Sequence, residues 1–230
     1  MSAAPPTLVL LLKAPRLGEV KTRLAAALGP ARALAIYRQL AERQVRALPP
    51  VWPVTIHFTP ADATTAAEMG AWLTPLRHAE SPHSAPTYYP QPDGDLGVRL
   101  TAAFAHAFAA GAPSVIALGG DCPSLDSALL HRAADALAQP GTDAILGPAA
   151  DGGYYLIGLR APRAELFADI AWSTPAVLTE TRARLRTARL RTIELPVLHD
   201  LDDAHDWHRA VAAGLLPADS LTDPAPVNNR

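Results

Sequence analysis

A chain of 230 residues with 49% hydrophobic and 18% charged residues is long enough to bury one substantial core and too apolar to be disordered. Its formal net charge of −2 gives no basic field, which excludes nonspecific nucleic-acid binding, and its one cysteine, Cys122, excludes an intramolecular disulfide framework. No apolar run approaches the roughly 20 residues of a membrane helix, and the opening MSAAPPT has no charged signal region, so a cytoplasmic protein without a membrane partner is expected.

Leu8–Leu12 is a short continuous apolar run and reads as a buried strand. It breaks into a loop carrying Lys13, Arg16, Lys21 and Arg23, after which the pattern turns helical; both lysines of the chain lie here. A strand feeding a basic loop that opens a helix suits a phosphate, because side-chain charge adds to free backbone N–H groups. A surface loop that is merely basic is the other reading. Pro30–Leu48 carries apolar residues at spacings of three and four, and Pro49-Pro50 ends that helix. Val51–Thr59 is strand-like, with Pro53 placing it at an edge or delaying its start.

Ala61–Leu73 predicts a short helix, and the five prolines of Thr74–Pro92 an irregular excursion with an extended piece at Thr87–Tyr89. Gly94–Ala110 predicts a helix with Leu96, Leu100, Phe104 and Phe108 on one stripe. Ser114–Leu118 is a further apolar strand, followed by Gly-Gly-Asp-Cys-Pro and a helix to Ala138 capped by Ser124 or Asp126. Asp143–Pro148 and Tyr154–Leu159 read as two strands joined by Ala149–Gly153. Ser173 or Thr174 caps a helix with Pro175 at its first position. Arg191–Leu195 is the last strand, and the acidic stretch His199–Asp206 leads into a final helix. Alternating strands and helices predict a single α/β domain over residues 1–216, a three-layer α/β/α arrangement around a mostly parallel mixed sheet, with a tail at 217–230.

In open α/β sheets ligands bind beyond the carboxyl ends of the strands. The basic loop, Asp121 behind its two glycines, and the Asp200–Asp203 stretch all fall there. A carboxylate at a strand tip suits Mg²⁺ or Mn²⁺, which takes one or two carboxylates and completes its shell with phosphates and water; Asp121 as a turn or cap residue is the plainer reading. Asp200 and Asp202 alternate onto one side of an extended segment, and either serves as a second metal carboxylate. Asp203 reads as a helix cap. Cys122 lacks a recognisable histidine partner, and the histidines show no zinc spacing.

The motifs KAPRLGEVKTRL, GDLGVRL at 94–100, GGDCPSL at 119–125, GPAADGGYYLIGL at 147–159, WSTPAVLTET at 172–181 and LHDLDDAHDW at 198–207 occur in order. Together they resemble the radical-SAM/selenodomain-associated transferases, which have the nucleotide-diphospho-sugar transferase (glycosyltransferase A) fold. The first motif also resembles the nucleotide loop of phospholactate guanylyltransferase and, more distantly, of molybdenum-cofactor guanylyltransferase. The resemblance implies a nucleotide, either a triphosphate or a nucleotide sugar, with Lys13, Lys21 and Arg23 on its phosphates and Asp95 on the nucleotide side, where the small residues Gly94 and Gly97 let a ribose or base approach. Asp95 is equally well a helix cap. It also implies a divalent metal on Asp121 and a C-terminal acid, here Asp202, with Lys21 and Asp121 as the catalytic pair. A small-molecule acceptor would sit near Asp151, Gly152, Tyr154, Trp172 and Ser173. Members of the wider superfamily often pair two aspartates, one residue apart, at the central strand; here one stands alone, so the C-terminal aspartates matter more. Nucleotidyl transfer to a phosphate- or carboxylate-bearing acceptor is the first expectation, glycosyl transfer the second, and nucleotide binding without turnover the third. Oligomeric state stays open, a homodimer included.

Overall fold

The computed structural model describes residues 4–77 and 85–218. Part of the irregular excursion (78–84) and most of the expected tail (219–230) lie outside the described residues. The strands are β1 (Thr7–Lys13), β2 (Val54–Thr59), β3 (Thr87–Pro90), β4 (Val115–Leu118), β5 (Ala144–Pro148), β6 (Tyr154–Leu159) and β7 (Thr192–Glu194). The helices are α1 (Thr22–Leu28), α2 (Pro30–Ala47), α3 (Ala63–Leu73), α4 (Leu96–Ala109), α5 (Ser127–Ala138), α6 (Val177–Thr187) and α7 (Ala204–Ala212). One sheet runs β3-β2-β1-β4-β6-β5-β7, parallel except for β6, which is antiparallel to both its neighbours.

β1 is apolar at nearly every position because both of its faces are covered. Leu8, Leu10 and Leu12 join a core with α2, α3 and α5 residues, including Val45, Leu73 and Leu130. Val9 joins the opposite core with Leu100 and Phe104 of α4 and Leu185 of α6. A third cluster, outside the sheet, packs α1, α2 and α7 through Leu24, Ile36, Leu40 and Trp207. The chain winds outward from β1 to β2 and β3, then returns to set β4 on the other flank of β1. That reversal makes a topological switch point between β1 and β4.

Several local expectations change. β2 starts at Val54, behind Pro53, and lies between β1 and β3, so the proline delays the strand and does not mark an edge. Asp126, not Ser124, caps α5, accepting from the Leu129 N–H at 2.7 Å. The buried stripe of α4 is Leu100, Ala103, Phe104 and Ala107; Leu96, first in the helix and ahead of that stripe, is 42% exposed. α6 begins two residues after Pro175 with no side-chain cap. Ser173 (φ 64°) and Thr174, whose hydroxyl donates to Ala171 O at 2.7 Å, form the turn before it.

The β5–β6 connection needs its glycine. Gly152 has φ +93°, and a Cβ there would lie 2.4 Å from Pro175 O. Gly152→Ala is expected to cost about 2 kcal/mol, from left-handed backbone strain and the lost approach of the α6 turn, read as a lower urea midpoint at unchanged m-value. His57 on β2 generates a pH prediction. Burial, and then the neighbouring His106, pull its pKa down to about 4. The unfolded chain takes up that proton first as pH falls below about 6.5. Stability from this residue is therefore present at pH 7 and is lost between about pH 6.5 and 4. The loss by pH 5 is roughly 2 kcal/mol, and His57→Gln flattens it in urea titrations at pH 7, 6 and 5.

Candidate functional site

β1 and β4 end side by side, and a cavity of about 440 Å³ opens at that edge. Its walls carry Lys13, Lys21 and Arg23 from the loop after β1, Asp121 from the loop after β4, Ser173 from the turn before α6, and Asp202 from the stretch before α7. These six residues, spread over 190 positions of sequence, are the sequence-predicted site residues that the fold brings together. Leu11, Leu12, Val20, Thr22, Tyr37 and Gly120 complete the lining.

Lys21 is the hub. It stands at the N-cap of α1 with φ 48° and ψ 49°, a left-handed backbone uncommon outside glycine. Its Nζ lies 2.6 Å from Asp121 Oδ1, 3.1 Å from Asp202 Oδ1 and 2.6 Å from the Leu201 carbonyl oxygen. The side chain is only 6% exposed. Burial draws its pKa down, but the charges and hydrogen bonds of Asp121 and Asp202 outweigh burial and hold it above the ordinary lysine value. The expectation that Lys21 reaches a phosphate is thus not how the side chain stands. Its partners are two carboxylates and a carbonyl.

Two sets of contacts hold the aspartates in place. The loop after β4 is tied to α2, where Gln44 Nε2 donates to Gly119 O at 2.6 Å and Arg43 Nε to Pro123 O at 2.8 Å. The chain beyond β7 continues alongside β5, with Leu198 N donating to Pro148 O and Ala150 N to Leu198 O. It then reaches the site, where Leu201 N donates to Asp121 O at 2.9 Å. Asp203 caps α7 as expected, reciprocally with Asp206, whose carboxylate also accepts from Asp202 N at 2.9 Å. At the end of β1, Tyr37 accepts from Lys13 N at 2.9 Å and donates to Lys13 O at 2.7 Å, fixing the strand tip that bears the first lysine. By spacing Tyr37 is one of the apolar positions of α2, and Gln44 falls outside that stripe. The available signal was a glutamine, 1% exposed, between the buried Ala41 and Val45 of α2, because a buried amide needs a partner.

The remaining predicted residues stand apart from the cavity walls. Asp200 does not line the cavity. Burial first, then the charges of Asp121 and Asp151, raise its pKa to about 7, with Lys21 acting the other way. Asp202 is therefore the C-terminal acid that faces the cavity. Asp95 is the N-cap of α4, accepting from Val98 N at 2.9 Å. The space beside Gly97, expected to admit a ribose or base, is filled by the protein: a Cβ there would meet Phe167 O at 2.2 Å and Trp172 Nε1 at 2.7 Å. Asp151 accepts from Gly153 N at 2.8 Å and belongs to the β5–β6 turn. Tyr154 and Trp172 pack edge to face at 6.4 Å against the α4–α6 core. Cys122 is buried, and burial with the Asp200 charge pushes its thiol up to about 12, which disqualifies it as a nucleophile at neutral pH.

Among the described residues no three histidine, cysteine, aspartate or glutamate side chains come together to hold a metal ion. Two carboxylates do face the cavity, with the side chains of Asp121 and Asp202 45% and 42% exposed. Lys21 takes one oxygen of each. Such a pair matches the donor set of an ion that binds through one or two carboxylates and substrate phosphates. It does not make a complete cage.

Comparison with known proteins agrees with this architecture. A family model described as an uncharacterized protein conserved in bacteria (DUF2064) matches residues 43–174. No curated protein matches the chain. Among solved structures, a presumptive nucleotide-diphospho-sugar transferase from Desulfovibrio desulfuricans G20 is 30% identical, with a TM-score of 0.83 over 94% of this chain and 90% of that one. CMP:2-keto-3-deoxy-manno-octonic acid synthetase, complexed with CTP, is 15% identical, with a TM-score of 0.52 over 93% of this chain and 100% of that one. The mannosyltransferase PcManGT from Pyrobaculum calidifontis, in complex with GDP-Man and Mn²⁺, is 14% identical, with a TM-score of 0.55 over 90% of this chain and 60% of that one. The last two share the fold. No helix among the described residues is long and apolar enough to cross a membrane. With more than half of its length matched by the family model and a 30% identical relative aligned over nearly all of it, this chain belongs to the DUF2064 family.

Proposed function

We propose that this protein is a divalent-metal-dependent transferase using a nucleotide-activated donor, most simply one that moves a nucleoside monophosphate from a triphosphate to a small acceptor. The observation that carries the reading is the cavity at the switch point between β1 and β4, whose lining brings exposed cations together with a carboxylate pair. Lys13 and Arg23 would take phosphate oxygens, Arg23 being 77% exposed and 3.9 Å from Asp202 Oδ2. Asp121 and Asp202 would hold Mg²⁺ or Mn²⁺, which supplies charge neutralisation on the phosphates when bound. The acceptor's phosphate or carboxylate oxygen would attack the α-phosphorus as its bond to the β-phosphate oxygen breaks, releasing pyrophosphate. A site with no activated nucleophile suits this chemistry, which depends on in-line positioning and charge neutralisation. Ser173, the one expected acceptor residue on the cavity wall, is the natural contact for that second substrate. The likeness to the Desulfovibrio protein and to the CTP-complexed synthetase supports a nucleotide donor. The fold shared with a mannosyltransferase bound to GDP-Man and Mn²⁺ supports glycosyl transfer as the second reading.

A melting-temperature panel of nucleoside triphosphates and nucleotide sugars, each with and without Mg²⁺, separates them. A ligand at about 100 times its Kd adds roughly 2.7 kcal/mol, enough to move the midpoint several degrees. Stabilisation by one triphosphate with metal is the expected result and names the base. Stabilisation by a nucleotide sugar alone turns the assignment to glycosyl transfer. Asp121→Asn and Asp202→Asn are each expected to abolish the Mg²⁺-dependent part of the shift while the ligand-free protein stays folded. A full metal-dependent shift in both variants would overturn the metal assignment.

A further inference from the structure

A lysine ammonium has three N–H donors and no acceptor. At Lys21 three oxygens lie within 3.1 Å of Nζ, one each from Asp121, Asp202 and Leu201, as many partners as the ammonium has donors. The lysine side chain is 6% exposed, while the two carboxylates it touches are 45% and 42% exposed. Lys21 lines the cavity but is its more enclosed member, and each carboxylate keeps a second oxygen that Nζ does not take. Lys13 is exposed and Arg23 is 77% exposed, so both can still reach a phosphate.

Withdrawing Lys21 would leave two neighbouring carboxylates without the cation between them and the carbonyl of the buried Leu201 short of a donor. Nor are the three partners independent. Leu201 N donates to Asp121 O at 2.9 Å, and Asp202 is the next residue along the chain, so one backbone bond fixes all three acceptors relative to one another. We propose that Lys21 is a positioning residue. It stays on Asp121, Asp202 and Leu201 when substrate binds, sets the separation of the two carboxylates, and leaves the phosphates to Lys13 and Arg23. The bridge itself is independent of any ligand; its persistence in the loaded site rests on the nucleotide–metal reading above.

The chain has only two lysines, Lys13 and Lys21, so a ¹⁵N-lysine-labelled sample gives two ε-ammonium signals, and Lys13→Arg assigns them. In the free protein Lys21 is expected to give a slowly exchanging ammonium signal that disappears in Asp121→Asn, with Lys13 exchanging fast. Fast exchange at Lys21 in the free wild-type protein would overturn the bridge. Mg²⁺ with inorganic tripolyphosphate is then added, and binding is verified separately by the melting temperature. Retention of the protected Lys21 signal, with perturbation at Lys13, supports the positioning role. Loss of protection at Lys21 on verified binding overturns it, because the lysine has then left the carboxylates for the phosphate. If tripolyphosphate gives no melting shift, the phosphate reading of the cavity fails along with the loaded-state half of this proposal. The free-protein spectrum still decides the bridge.

Discussion

One buried ammonium holds this site together. Lys21 links a loop near the start of the chain to the tip of β4 and to a segment some 180 residues later. The left-handed turn at Lys21 and the tether of the β4 loop to α2 both serve to put three oxygens around one nitrogen. So does the path of the chain beyond β7 along β5. A buried ion pair is weak grounds for stability, since desolvation offsets most of its attraction. Here its value is geometric. It converts two mutually repelling aspartates from distant segments into a pair with a defined separation.

The fold was largely legible because its signals are local. Apolar runs of strand length, proline stops at Pro49-Pro50 and aspartate caps at Asp126 and Asp203 are each decided by a few neighbouring residues. The antiparallel β6 was also readable, since a five-residue Asp-Gly-Gly connection between apolar strands favours a hairpin. Misreadings occurred where tertiary contacts decide. Leu96 lies on the helical stripe by spacing alone, yet at the first position of its helix it is left largely exposed. Gly97 looked like room for a ligand and is room for the Phe167 carbonyl and the Trp172 ring, because the partner in a close approach is invisible in a one-dimensional string.

The candidate site was legible in part as a set of residues but not as an arrangement. Lys13, Lys21, Arg23, Asp121, Asp202 and Ser173 converge on one cavity. Residue type and position in the α/β pattern pointed to all but Ser173, which the family resemblance implied. What they do to one another was not recoverable: nothing in the sequence says that Lys21 faces carboxylates while Lys13 and Arg23 remain open. Gln44, Arg43 and Tyr37 were hidden for the same reason. Their role is to hold backbone atoms of the site loops, and backbone atoms carry no sequence signature.

The route of the C-terminal segment has a consequence in time. Chains emerge from the ribosome N-terminus first. β1, its basic loop and β4 are all made before residue 120, so Lys21 and Asp121 can meet early, and with β6 and β5 added nearly all of the sheet exists by residue 159. Leu201 and Asp202 come some forty residues later. Until they arrive, Lys21 lacks two of its three acceptors and the cavity lacks one wall. The candidate site is thus complete only once the last segment of the domain has been made. A chain truncated ahead of Leu201 would lack two of the three Lys21 partners and one wall of the cavity.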